Sequence, residues 1–321
     1  MPRLIKKTVI LAKLETVYGT DAVPTGAANA IQVFDLSITP LDIKTVDINT
    51  VTPWFGAAQK LSSTASVKVS FSVLLAGAGL AATAPAWGAL LVGCASGETT
   101  GLTAPVRVEY LPVTDLLKSL SIYWYDDGLL HKLTGAMGAV KLSAKSGEAP
   151  KLTFDFTGLD GGVSVAANAT AVLTGWKTPP MVTKANVTDI LLGCTYAAGA
   201  LTGGTSYNST GLALDWGNQV AFAPMLSTEQ VVMTDRDITG SLSLDLTAAQ
   251  EVTLYAAVKA NTTQSMGFVI GNTLGNKILL HAPAVQLMSP KKEEFNGMRL
   301  IGFDLRLNPV AGNDELRIVS L

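Results

Sequence analysis

The sequence predicts a mainly β chain in which one structural unit occurs twice. Alternating strands, a short helical stretch and a hairpin ladder occur before about residue 175 and again, in the same order, after it. Ser66-Val67-Lys68-Val69-Ser70-Phe71-Ser72-Val73 puts apolar groups on one face and polar groups on the other, as Ser241-Leu242-Ser243-Leu244-Asp245-Leu246 does later. This period-two pattern is that of a strand buried on one side.

The elements follow in order. Residues 1–30 read as an N-terminal arm, irregular from Leu14 onward, where Gly19, Pro24 and Gly26 interrupt any regular pattern. Residues 31–51 alternate well enough for one or two strands. Residues 52–65 form a loop bearing Trp54 and Phe55 beside Pro53, either a local plug over the core edge or an anchor for a second molecule. A short helix is expected over Thr83–Leu91, with Pro85 in its first turn, where a missing amide proton is harmless. Its counterpart begins at Thr247, whose spacing from Gln250 fits a capping box, and runs toward Val258.

Leu120–Leu130 reads as strand, Asp-Gly turn and returning strand, because Asp127-Gly128 accommodates the positive φ values of a tight hairpin. Of Tyr123, Trp124 and Tyr125, only the two tyrosines share a face, so a structural cluster is expected rather than a ligand platform. Two further matches complete the duplication. Ala139–Leu142 corresponds to Ala284–Leu287, and Leu152–Phe156 to Ile301–Leu305, each with an aspartate in the latter strand. The division is therefore an arm over 1–30, a first unit over 31–175, a linker over 176–188 holding Pro179-Pro180, and a second unit over 189–321. Trp176 is expected to dock against one of the units.

A formal charge of -2 and a pI near 5.7 give no basic excess to grip phosphates, which argues against a dedicated DNA-binding protein. Cys94 and Cys194 lie in different halves with no second cysteine at metal-ligand spacing, so two buried free thiols are expected and no metal. The basic start at Arg3, Lys6 and Lys7 is followed by an apolar run that Lys13 breaks too early for a secretion signal. Residues 73–95 carry no charge and are long enough to span a bilayer. They begin inside an alternating strand, pass Gly77, Gly79 and Pro85, and are rich in alanine, so a strand end, a loop and a packed helix are expected instead.

Enzymatic readings lack their groups. His131 and His281 are the only histidines, one in each half near a strand end, and a triad would need both a distant nucleophile and a fold that unites them. Asp126-Asp127 sits in a tight turn, where carboxylates cap amides or face water. Neither Gly135–Gly138 nor Thr202–Thr205 is followed by the Gly-Lys-Ser/Thr of a phosphate loop, so no cofactor is expected. Asp235-Arg236-Asp237 reads as a solvated turn, or as a charged contact between subunits.

The run from Leu11 to Ile31, with Tyr18-Gly19-Thr20-Asp21-Ala22-Val23-Pro24, resembles the opening of tail tube proteins of long-tailed bacteriophages. Lys118–Tyr123, Asp127-Gly128 and Gly147–Phe154 are similar to the same family, so the resemblance covers most of the first half. It implies β-sandwich units, each with a short flanking α-helix, that close into rings and stack into a hollow tube. It further implies that the arm around Tyr18 and Pro24 joins neighbouring subunits, and that the Trp54-Phe55 loop reaches an adjacent ring. Asp235 and Arg236 are added as candidate subunit contacts. Most members carry one unit and form six-membered rings, so a duplicated chain implies three chains per ring with pseudo-sixfold symmetry, six chains being the alternative.

The expected partners are further copies of the chain, tail-tip, tape-measure and tail-terminator proteins, and double-stranded DNA in transit. The resemblance places the product in the virion tail after assembly in the host cytoplasm. A lumen that passes DNA should not be lined densely with lysine, which would hold the phosphates. Asp155, Asp304 and Asp245, with Lys68, lie on the polar faces of alternating strands and are the candidate lumen-facing residues. The competing reading is a tail-tip, connector or adhesion component that binds partners through its loops.

Overall fold

The computed structural model describes residues 3–48 and 50–321. The chain is mainly β. The first half supplies β1 (Thr8–Leu14), β2 (Ala30–Ile31), β3 (Phe34–Asp47), β4 (Lys60–Leu74), β5 (Ser96–Leu102), β6 (Arg107–Pro112), β7 (Leu120–Asp126), β8 (Leu129–Lys145) and β9 (Lys151–Val165). The second supplies β10 (Ile190–Ala197), β11 (Ala200–Asp215), β12 (Gln219–Pro224), β13 (Glu229–Asp235), β14 (Thr239–Asp245), β15 (Thr263–Ile270), β16 (Ile278–Phe295), β17 (Met298–Leu307) and β18 (Arg317–Ser320). Three helices, α1 (Gly26–Asn29), α2 (Gly88–Val92) and α3 (Ala248–Lys259), accompany them.

One antiparallel pairing order occurs twice. In the first half it runs β1-β7-β8-β9-β4-β3, and in the second β10-β15-β16-β17-β14-β11. Each order closes on itself: β11 returns along β10 before joining β14, and β2 returns along β1 two residues before β3 joins β4. Closure removes most of the strand edges that invite uncontrolled association. Most buried side chains of both circuits, including Phe71, Phe154 and Phe156 of the first and Leu242, Phe303 and Leu305 of the second, belong to one continuous core, and two smaller clusters lie apart from it around Leu11 and Tyr123 and around Leu279 and Val319.

Matching irregularities fix the correspondence. β7·β8 has a bulge between Leu120 and Ile122, and β15·β16 one between Gln264 and Met266. The same interval separates Leu133 from Ala282, Ala136 from Val285 and Asp155 from Asp304. Leu152–Phe156 therefore does correspond to Ile301–Leu305. The match of Ala139 with Ala284 is corrected: Ala139 lies opposite Asp155, and it is Met288 that lies opposite Asp304. An alternating strand slipped by an even number of residues keeps the same side chains inward, so pattern alone does not detect the shift.

Local chemistry explains several elements. Asp127 and Gly128 both adopt positive φ, 42° and 97°, and close the β7–β8 hairpin. Thr247 and Gln250 form the expected reciprocal cap on α3. The first helix is shorter than expected, because Pro85 disfavours helical geometry at Ala84 and the chain turns until Trp87. Trp87 is buried, with Nε1 donating to the Ala76 carbonyl at 2.7 Å. Residues 73–95 form the end of β4, turns and α2, and among the described residues no helix is long and apolar enough to cross a membrane.

Three further expectations change. Thr8–Leu14, assigned to the arm, is a core strand in which Leu11 is wholly buried, and only the stretch that follows it is irregular. The loop over 52–65 is shorter at its far end, since β4 starts at Lys60, opposite Asp47. The β12–β13 hairpin, which the sequence reading did not place, forms a separate two-stranded sheet against β8 and β9. Gly217 makes its entry possible: φ is 60°, and a Cβ would lie 2.2 Å from the Asp237 carbonyl oxygen.

Candidate assembly surfaces

The two circuits meet along one ladder. Lys141, Leu142 and Ser143 of β8 lie opposite Asp215, Leu214 and Ala213 of β11, and Lys141 Nζ is 3.3 Å from the Asp215 carboxylate. This junction makes a continuous run of eight strands, β3-β4-β9-β8-β11-β14-β17-β16. Its two ends are unpaired among the described residues. β3 pairs only with β4, and the Leu287–Phe295 part of β16 pairs only with β17.

The four candidate lumen residues share the outer, polar face of this run. Asp155 stands between the buried Phe154 and Phe156, opposite Ser70 of β4, and groups with Ser37, Thr39, Lys68 and Thr157 along a shallow groove. Asp304 stands likewise between Phe303 and Leu305, opposite Ser241. Asp245 follows the buried Leu244 on the same face of β14 as Ser241. The charges here are of mixed sign and largely matched: Lys68 with Asp42 at 2.6 Å, Lys291 with Asp304 at 3.2 Å and Arg306 with Asp237 at 3.0 Å. The hydrogen bond and charge of Lys68 hold the Asp42 carboxyl below the usual aspartate range. Asp155 has no ion pair among the described residues.

The candidate contact residues divide. Trp54 and Phe55 sit in the loop joining β3 to β4 with 71% and 108% exposure, so neither plugs the core of its own chain. Val46, Val51 and Leu61 are exposed beside them.

Tyr18 and Pro24 make contacts within their own chain. The Tyr18 hydroxyl accepts from the Val231 amide at 2.5 Å and so ties the arm to β13, and burial raises its phenol above the ordinary value. Pro24 is buried. Asp21, between them, receives hydrogen bonds from Tyr123 and Lys132.

Arg236 is held by partners of its own chain and does not stand free in a solvated turn. Its guanidinium donates to the Val113 carbonyl at 3.0 Å, to Asn313 Oδ1 at 3.2 Å and to Glu315 Oε1 at 2.9 Å, while Asp235 beside it stays exposed. The pair Arg236–Glu315 is almost fully withdrawn from water. It lines a groove of about 390 Å³ with Val113, Leu117 and Met233.

Trp124 stacks on His131 at 3.9 Å between ring centres, and burial lowers the histidine's proton affinity. His281 is held low by burial and by Arg317. Cys94 and Cys194 are buried free thiols, both raised by burial. The described residues hold no group of three or more side chains suited to a metal.

A family model described as phage tail tube protein matches residues 6–306. The chain belongs to the phage tail tube protein family. A comparison with curated proteins gave no match. Membership makes this tail tube chain a structural protein of the phage tail, working as an oligomer. The sequence reading singled out the exposed tip but missed the Lys141–Asp215 junction. Its signal was present in Val140-Lys141-Leu142 and Leu212-Ala213-Leu214-Asp215, two alternating stretches that carry charges of opposite sign.

Proposed function

We propose that this tail tube chain is the repeating subunit of a hollow tube, in which rings stack around a channel that conducts double-stranded DNA. One observation carries the reading: the same closed circuit occurs twice in one chain, and the two are joined through a ladder that has no counterpart among the described residues. A unit that joins its own copy edge to edge is suited to repetition, and different surfaces at its two ends generate rings or filaments. The working division is an N-terminal segment over 1–30 that contributes β1 to the first circuit, a first unit over 31–175, a linker over 176–188 and a second unit over 189–321. Two units per chain favour three chains per ring with pseudo-sixfold symmetry.

The polar face that carries Asp155, Lys68, Asp304 and Asp245 lines the channel. Its mixed and matched charges neither trap phosphates by counterion release nor repel them strongly. The Trp54-Phe55 tip contacts a neighbouring ring. The role is mechanical and not enzymatic. Assembly takes place in the host cytoplasm, with tail-tip, tape-measure and tail-terminator proteins setting where the tube starts, its length and where it stops.

Negative-stain electron microscopy of the purified chain across a concentration series tests the reading. Hollow stacks of indefinite length are expected. Assemblies that stop at a single ring would instead indicate a tip or connector component.

A further inference from the structure

The end of the β10–β11 hairpin is fastened to the molecule without a backbone ladder. β10 pairs with β15 only at Leu191 and Leu192, and β11 joins β14 only from Asn208 onward, so over residues 193–206 the hairpin pairs only with itself among the described residues. Where it leaves the sheet, Gly193, Gly203 and Gly204 adopt positive φ values of 76°, 68° and 84°, a region that side chains disfavour. We propose that this hairpin is an acid-released strap: a proton on His281 frees residues 195–201 from the sheet, about the three glycines, and uncovers Leu279, Val319 and Leu321.

The fastening is made by side chains. Tyr196 and Leu201 pack against a small apolar cluster of Val269, Leu279, Val319 and Leu321 that lies apart from the main core. At the turn, Gly199 lies against Leu321, Arg107 and Pro105. The Tyr196 hydroxyl donates to Glu109 Oε1 at 2.5 Å, and the Arg317 guanidinium stacks over the Tyr196 ring at 4.4 Å. Glu109 is held in turn by Arg107 at 2.6 Å and Arg317 at 3.3 Å.

His281 lies beneath this fastening. Its ring centre is 5.6 Å from that of Tyr196, it stands opposite Arg317 on β18 and Gly267 on β15, and its Nε2 is buried without a hydrogen-bond partner. The charged and titratable groups around it are Arg317 of β18, Glu109 and Arg107 of β6, and Tyr196 and Cys194 of β10; β15 contributes none. A proton on the imidazole sets a second cation beside Arg317, and the one carboxylate, on Glu109, is already engaged by three donors. Protonation therefore disfavours the closed form and not the open one, where the imidazole reaches water. Burial and Arg317 hold its proton affinity below the ordinary value of 6.5. The stability that neutral His281 lends the closed strap is present above 6.5 and is lost as pH falls through the lower folded value. Glu109, which titrates below 4.5, stays charged while His281 acts. Such a local opening leaves the rest of the fold in place.

Cys194 reports the opening. Its Sγ lies under the strap beside Gly267, and it is buried, as Cys94 is. The purified chain is treated with dithiodipyridine at about pH 7.5 and at about pH 5.5, either side of the histidine range. Labelling at each cysteine, located by mass spectrometry, is divided by the rate for free cysteine at the same pH, which removes the effect of thiolate fraction. Relative labelling at Cys194 is expected to rise severalfold on acidification in the parent and in H131Q, while Cys94 stays unreactive. In H281Q, which takes up no proton there, the rise is expected to vanish. An equal ratio at both pH values in the parent would overturn the proposal, as would a rise shared by Cys94, a rise that survives in H281Q or one lost in H131Q. The parent and H131Q arms carry the test on their own if H281Q does not fold.

Discussion

Lys141 and Asp215 face each other across the ladder that joins β8 of the first circuit to β11 of the second, with Nζ 3.3 Å from the carboxylate. Both side chains are substantially exposed, so the ion pair itself contributes about 1 kcal/mol or less. The paired backbone and the buried Leu142, Leu212 and Leu214 beside it hold the junction, while the charges help to fix its register.

The tie between Arg236 and Glu315 is of a different kind, because both ends are nearly buried. Replacing Arg236 with Ala leaves the Glu315 carboxylate without its cation and is expected to destabilise the fold by roughly 3 kcal/mol, read from urea denaturation. A change under about 0.5 kcal/mol, ordinary for a surface residue, would contradict this assignment.

Glu109 gives the chain an acid-sensitive joint. Burial alone would raise its carboxyl, but hydrogen bonds from Tyr196 and Arg107 and the charge of Arg317 outweigh it, and the net pKa lies below the ordinary glutamate value. The stability this contributes is present above the unfolded-state value of 4.5 and is lost as pH falls through the lower folded value. Glu109→Gln is expected to flatten this part of the acid limb in a pH series of thermal melts; an unaltered limb would assign the acid sensitivity elsewhere.

Trp54→Ala and Phe55→Ala remove side chains that bury little or nothing within their own chain. Monomer stability should change by no more than about 0.5 kcal/mol. The critical concentration for polymerisation should rise. Polymers as stable as the parent's would return both residues to a purely local role.

Asp155→Lys adds a cation to the polar face without touching the core side chains on either side of it. Tubes should form normally and DNA release from virions built with the variant should slow, since an added lysine can engage passing phosphates. Release at the parent rate would place this face away from the channel.

Much of this architecture was legible in the residues. Period-two strands at Ser66–Val73 and Ser241–Leu246, the Asp127-Gly128 turn and the Thr247–Gln250 cap are local signals, and local geometry honours them. What pattern did not reveal depends on distant partners. β5–β6 of the first half joins the last strand, β18, and Arg236 meets Glu315 through a segment far along the chain. The contacts of Tyr18 and the burial of Pro24 escaped for the same reason. Their partners are set by tertiary packing, whereas Trp54 and Phe55 stand out because nothing in the chain covers them.

Cryo-electron microscopy of end-on and side views of the assembled polymer, with its rotational symmetry and mass per ring determined, tests the central claim most directly. Three chains per ring, displaying six similar lobes around an open channel, is the predicted result. Six chains per ring would contradict the account of the duplication, and polymers without a channel would contradict the tube itself.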